Sequence, residues 1–265
     1  MSSRAQIIAT IGPSSERPGV LCAMIINGMD VARLNFAWLT AERGAQQIDA
    51  IRAAAEACGR GVPPIIADLP GPRIQLKEGH TYDTAAKEPL TPQDRETLAL
   101  CAERGVEYVA LSFVASAADV AQCREAIKKN NGTQKIIAKI ERKAAVEQID
   151  GIIAAADAVM VARGDLGAEV PLEEIPFIQK DIIAKCNAAG KPVIVATQML
   201  LSMTKQAEPT RAEVTDVEEA IVDGADAVML SEETASGGFA VEATAMMERI
   251  IAEAERHKPR VVNPL

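Results

Sequence analysis

Between Ile136 and Gly167 the chain carries two charged tips, each at the end of a short apolar run: Lys139 and Glu141, then Arg163, Gly164 and Asp165. Acids and bases at the exits of buried strands are costly unless they pair or hold something. Glu141 and Asp165 are two carboxylates able to hold a hard divalent cation. All-oxygen ligation favours Mg²⁺ or Mn²⁺ over Zn²⁺. Lys139 beside them supplies fixed positive charge for a transferring phosphoryl group or an enolate oxygen. Arg33 offers a two-pronged donor for carboxylate or phosphate. The backbone amides of the Gly164–Asp165 turn can face an anion. Thr197 carries a hydroxyl that can relay a proton with water. These types together point to a small anionic 2-oxo acid, or its phosphorylated enol, as substrate.

The elements that must position these residues alternate regularly. Short β-rich runs fall at 7–10, 31–35, 65–68, 108–112, 135–140, 158–162, 192–196 and 227–230. Helical patterns follow at 18–27, 40–58, 92–104, 117–129, 143–155, 172–188, 210–223 and 241–257. The strand runs are nearly continuous in apolar residues, as strands buried on both faces are. Glycines at 28, 59, 105, 190 and 224 mark helix ends. Eight βα units predict an α/β protein, a (β/α)8 TIM barrel spanning residues 1–265 as a single domain. A doubly wound open sheet competes, but Ile11-Gly12-Pro13-Ser14-Ser15 does not match its glycine-rich fingerprint. One connection is irregular: the loop at 69–91, with Pro70, Gly71, Pro72, Gly79 and Pro89, suits a lid or small hairpin.

Polar residues gather where the strands end: Arg33 and Asn35, Asp68, Ser112, Lys139 and Glu141, Arg163 and Asp165, Thr197 and Gln198, and Ser231 to Glu233. A lone Asp after a strand is usually a helix cap. Such residues at nearly every strand tip fit instead the rim on which barrel enzymes build their sites.

The bulk properties exclude other classes. A net charge of −9 and 3% aromatic residues offer neither a basic stripe nor stacking platforms for nucleic acid. No apolar run approaches the ~18 residues of a membrane span. The first six residues are polar and short, unlike a signal peptide. Five cysteines without CxxC spacing read as buried, reduced thiols of a cytoplasmic protein.

At these residues the sequence resembles the barrel domain of the pyruvate kinase family. The stretches ATIGPSS (9–15), ARLNF (32–36), AKIE (138–141), VARGDLG (161–167), ATQML (196–200), PTRAEVTDV (209–217) and DGADAVMLSEETASG (223–237) follow the family's order over nearly the whole chain. The resemblance implies that Arg33 contacts phosphate and that Lys139 stabilises the phosphoryl group in flight. It implies that Glu141 and Asp165 bind magnesium, that Gly164 and Asp165 grip the substrate carboxylate, and that Thr197 takes part in protonating the enolate. Asn35 falls in the matched substrate-side segment.

The departures carry implications too. The family inserts a capping domain after its third strand, where only the 69–91 loop stands, and the chain stops soon after His257. Ala37 and Leu69 lack hydroxyls of the family's potassium site, and Trp38 stands in place of a nucleotide-side histidine. Arg73 stands in place of a glutamate; a fixed cation there could substitute for K⁺, so K⁺ is not expected to be required. Two readings follow. One is a minimal phosphotransferase between phosphoenolpyruvate and ADP/ATP. The other is a lyase, a metal-dependent pyruvate aldolase or 2-oxo acid decarboxylase, which needs no nucleotide. Barrel helices could also pair in a homo-oligomer.

Overall fold

The structure, a computed structural model, describes residues 3–77, 79–258 and 261–265. Eight parallel strands close into a barrel: β1 (Gln6–Ile11), β2 (Met29–Asn35), β3 (Ile65–Asp68), β6 (Tyr108–Leu111), β7 (Lys135–Ile140), β8 (Ala158–Ala162), β9 (Val193–Ala196) and β10 (Ala227–Leu230). Each neighbours its successor in the ring, and β10 pairs with β1 to close it. The remaining two strands, β4 (Arg73–Gln75) and β5 (His80–Tyr82), form a separate antiparallel hairpin. The irregular 69–91 loop thus contains a hairpin, as its turn residues suggested.

The outer ring is α1 (Pro18–Ile26), α2 (Ala41–Ala57), α3 (Pro92–Arg104), α4 (Ala117–Lys129), α5 (Lys143–Glu147), α6 (Ile149–Ala155), α8 (Ile175–Ala188), α9 (Arg211–Asp223) and α11 (Ala240–His257). Two single-turn helices, α7 (Arg163–Leu166) and α10 (Glu232–Ala235), sit directly on strand exits. Capping boxes start several helices: Thr91 with Asp94, Ser116 with Asp119, and Thr210 with Glu213.

Two helical expectations need correction. The helix expected over 143–155 breaks at Gln148, whose φ/ψ of −110°/18° are not helical. Its two halves bury Ala145 and Ile149–Ile152–Ile153 respectively. The helix expected from Leu172 begins as a 3₁₀ turn, and the α-helix starts at Ile175. Pro176 explains this: without an amide hydrogen it is tolerated only in a helix's first turn.

Two hydrophobic clusters hold the barrel. The large one lies between strands and helices, with Leu21, Ile48, Leu98, Val120, Ile152, Ile182, Ile221 and Ile251 all essentially inaccessible. The small one fills the inside of the barrel: Ile8, Val31, Ile66, Tyr108, Ala110, Ile137, Ala158, Met160, Ile194, Ala196, Ala227 and Met229. All five cysteines are free thiols. Cys101, Cys123 and Cys186 are buried, and burial pushes each up to about 12. Cys22 of α1 and Cys58, the residue that caps the end of α2, are only half-buried, contrary to expectation. No helix among the described residues is long and apolar enough to cross a membrane.

Candidate active site

Side chains of a strand alternate between faces, so the inward ladder of each barrel strand is read every second residue. Ile8 is followed by Thr10, Val31 by Arg33 and Asn35, Ile66 by Asp68, Ala110 by Ser112, and Ile137 by Lys139 and Glu141. The lower rungs are apolar and fill the barrel. The next rungs are polar and gather at its C-terminal mouth. Strand register places them side by side: Thr10 is level with Arg33, and Asn35 with Asp68.

A buried ionic network results. Asp68 accepts from Arg33 Nε at 2.8 Å and from Lys139 Nζ at 3.0 Å. Lys139 Nζ also donates to Ser112 Oγ at 2.7 Å and pairs with Glu141 Oε1 at 2.7 Å. Arg33 Nη1 donates to Thr10 Oγ1 at 2.9 Å. Burial alone would push the Asp68 carboxyl up, but Arg33 and Lys139 together outweigh it and hold it below the usual range. Burial likewise opposes the Lys139 charge, and its two anionic neighbours, Asp68 and Glu141, outweigh it and raise the ammonium's pKa. Glu141 is less well served. Burial raises its carboxyl, Lys139 compensates only in part, and Asp165 repels it.

The cation fit follows from that imbalance. Glu141 and Asp165 are close enough for mutual repulsion, and a divalent ion between carboxylates would relieve it. Glu141 Oε2 accepts from the Phe113 amide at 2.7 Å, which leaves Lys139 as the partner a metal would displace. Among the described residues no three His, Cys, Asp or Glu side chains form a closed cage. The residues present fit an open site of the Mg²⁺ type, completed by substrate oxygens and water.

β9 ends in unusual backbone. Thr197 and Gln198 take φ of 73° and 56°, a left-handed pair rare for a β-branched residue. Arg163 braces the pair: its guanidinium grips Asp216 of α9 at 2.6 and 2.7 Å and donates to the Thr197 carbonyl at 2.8 Å. Thr197 Oγ1 accepts from the Gly164 amide at 2.8 Å and donates to the Ala196 carbonyl at 2.6 Å. The Gly164 amide, expected to face an anion, is therefore engaged by the Thr197 hydroxyl. Asn35 is engaged as well; its Oδ1 caps the Ala37 amide at 3.1 Å. Glu233, expected on the rim, is fully buried and holds the amides of Leu200 and Ser231 at 3.0 and 2.7 Å.

The hairpin reaches over this mouth. Arg73 lies 5.2 Å from the centroid of the exposed Trp38 ring. His80 Nε2 lies 3.1 Å from Asp165 Oδ1. Burial lowers the His80 pKa, Asp165 opposes that shift, and the Arg73 and Lys139 charges reinforce it. Reading the sequence missed His80, Phe113 and Thr10. Thr10 was within reach, being one inward rung above Ile8. His80 gave no signal, since it lies in irregular chain far in sequence from its partner.

An α/β barrel with a buried cation–carboxylate network at its C-terminal mouth is an enzyme architecture. The family model described as "Pyruvate kinase, barrel domain" matches residues 2–89 and 83–244. A pyruvate kinase of Agrobacterium vitis is 37% identical over 336 aligned positions, covering 96% of this chain and 70% of that protein. One from Thermococcus litoralis is 36% identical, with 97% and 71% covered, and one from Mycobacterium tuberculosis is 34% identical, with 97% and 71% covered. The chain belongs to the pyruvate kinase family, and it is a pyruvate kinase-like enzyme.

Proposed function

We propose that the chain acts on phosphoenolpyruvate or pyruvate through an enolpyruvate intermediate, moving a phosphoryl group to or from ADP/ATP. The observation that carries this reading is Lys139, buried on β7 and held between Asp68, Ser112 and Glu141 with Arg33 across the mouth. Glu141 and Asp165 would hold Mg²⁺ or Mn²⁺, which when bound supplies Lewis-acid polarisation of a substrate oxygen. Lys139 neutralises charge on the phosphoryl group as it leaves the enol oxygen. Arg33 and the Gly164–Asp165 segment orient the phosphate and carboxylate ends. Thr197 delivers a proton to the enol carbon through water once its hydroxyl turns from the Ala196 carbonyl. Arg73 provides the positive charge that makes K⁺ unnecessary.

We read the chain as one barrel domain with the hairpin where the family carries its capping domain. The family match divides at 83–89, within the 69–91 segment, and the alignments have more positions than the chain has residues, both of which support this. A lyase reading is favoured by one observation: the hairpin, standing where the family carries its capping domain, puts His80 against the Asp165 carboxylate. Incubation with phosphoenolpyruvate, ADP and Mg²⁺ separates the two. Nucleotide-dependent pyruvate release supports phosphotransfer. Cleavage of a 4-hydroxy-2-oxo acid without phosphotransfer replaces it with the lyase.

A further inference from the structure

The hairpin touches four different strand exits. Arg73 rests over Trp38, beyond β2. Tyr82 packs against Phe113, beyond β6, with ring centroids 5.5 Å apart, and lies under the Arg142 guanidinium, beyond β7, at 3.7 Å. His80 meets Asp165, beyond β8, at 3.1 Å and sits edge-on to Phe113 at 6.0 Å. Its span therefore bridges the mouth. Its root is firm: the Gly71 amide donates to Asp94 Oδ1 at 3.1 Å, and Pro70 and Pro72 flank it. Its body is lightly held. No described residue from Arg73 to Tyr82 is buried, and Ile74 and Leu76 face solvent. A segment with a fixed root and few buried contacts opens at small cost.

We propose that this hairpin is the lid of the site and that His80 is its positioning residue, seated on Asp165 until a divalent ion claims that carboxylate. The inference rests on the proposed assignment of Asp165 as a cation ligand. An ion bound through Asp165 Oδ1, at a ligand distance of about 2.1 Å, takes the oxygen that His80 now holds at 3.1 Å, so ion and imidazole compete for it. Binding of the ion lifts His80, and the hairpin swings with it. Arg73 then leaves the Trp38 ring.

The test is Mn²⁺ affinity by calorimetry on the full chain, wild type against His80→Ala. Removing the competitor is expected to tighten binding about five-fold, the factor one ordinary hydrogen bond carries. Unchanged affinity overturns the proposal, and weaker affinity overturns it in favour of His80 as a metal ligand. Glu141→Gln and Asp165→Asn separate the two layers. If wild type binds Mn²⁺ and these variants do not, the carboxylate assignment stands whatever His80→Ala shows; if none binds, assignment and lid fall together. Should His80→Ala not fold, the wild type decides. Trp38 is the one tryptophan of the chain, so its acrylamide quenching reports on the ring that Arg73 rests over. Saturating Mn²⁺ is expected to increase that quenching, and no change overturns the lid.

Discussion

Replacing Lys139 with Met keeps an unbranched stem of similar length and removes the charge at the centre of the network. Lys139 Nζ now serves Asp68 at 3.0 Å, Ser112 at 2.7 Å and Glu141 at 2.7 Å. Asp68 would keep Arg33 at 2.8 Å and stay compensated. Glu141 would keep only the Phe113 amide, at 2.7 Å, and would face Asp165 unopposed. Breaking a buried pair by removing one partner costs about 3–5 kcal/mol. Because Asp68 retains a partner, the expected loss is at the lower end, about 3 kcal/mol, or roughly 6–12 °C in Tm for a chain of this size. The pH dependence carries a sign. Burial already raises the Glu141 carboxyl, and loss of Lys139 raises it further. An acid whose folded pKa exceeds its unfolded value destabilises fully above the folded pKa and ceases to do so below the unfolded one. The gap between variant and wild type is therefore expected to narrow on acidification, in denaturant unfolding without added metal. A loss under about 1 kcal/mol, or a gap that does not change with pH, would refute the reasoning. The same variant is expected to lose phosphoryl transfer while retaining part of pyruvate proton exchange; equal loss of both would deny Lys139 its separate role.

Other perturbations test other parts of the account. Glu141→Gln and Asp165→Asn are each expected to abolish metal-dependent turnover and to weaken Mn²⁺ binding at least ten-fold by calorimetry, about 1.4 kcal/mol; wild-type behaviour in either removes the cation assignment. Gly71→Ala forces a Cβ into left-handed backbone, φ 63°, within 3.1 Å of Ser112 and Phe113 side chains. A cost of about 1–2 kcal/mol is expected from thermal unfolding, and a neutral result would mean the hairpin root is not held as described. Asp30, at the opposite end of the barrel, is pushed up to about 6, first by burial and also by Glu248, against a bond from the Ile7 amide. Stability is expected to fall as pH rises from about 4 to about 6, and Asp30→Asn should flatten that slope. Asp30 is partly exposed, so screening holds the effect to about 1 kcal/mol.

The barrel was legible because its signals are local. Continuous apolar runs and glycines at left-handed helix ends each act within a few residues. All eight barrel strands lie where the runs predicted, and Gly28, Gly59, Gly105, Gly190 and Gly224 all take positive φ. The helix starting at Leu172 was misread although its cause, Pro176, was in plain view. The candidate site was legible to the same depth: period-two alternation within a strand puts Arg33, Asp68, Ser112, Lys139 and Glu141 on the inward face near its end.

What the sequence alone determined is therefore that Arg33, Asp68, Ser112, Lys139 and Glu141 stand at the barrel's mouth. Only the tertiary structure decided which of them are already spent on one another. Lys139 reaches Asp68 across 71 residues of chain, Gly164 gives its amide to Thr197, and His80 closes on Asp165. Strand periodicity is set by each residue's neighbours along the chain. Pairing across the mouth is set by barrel closure and register, and by where a loop without periodicity comes to rest, and those quantities exist only once every strand is in place.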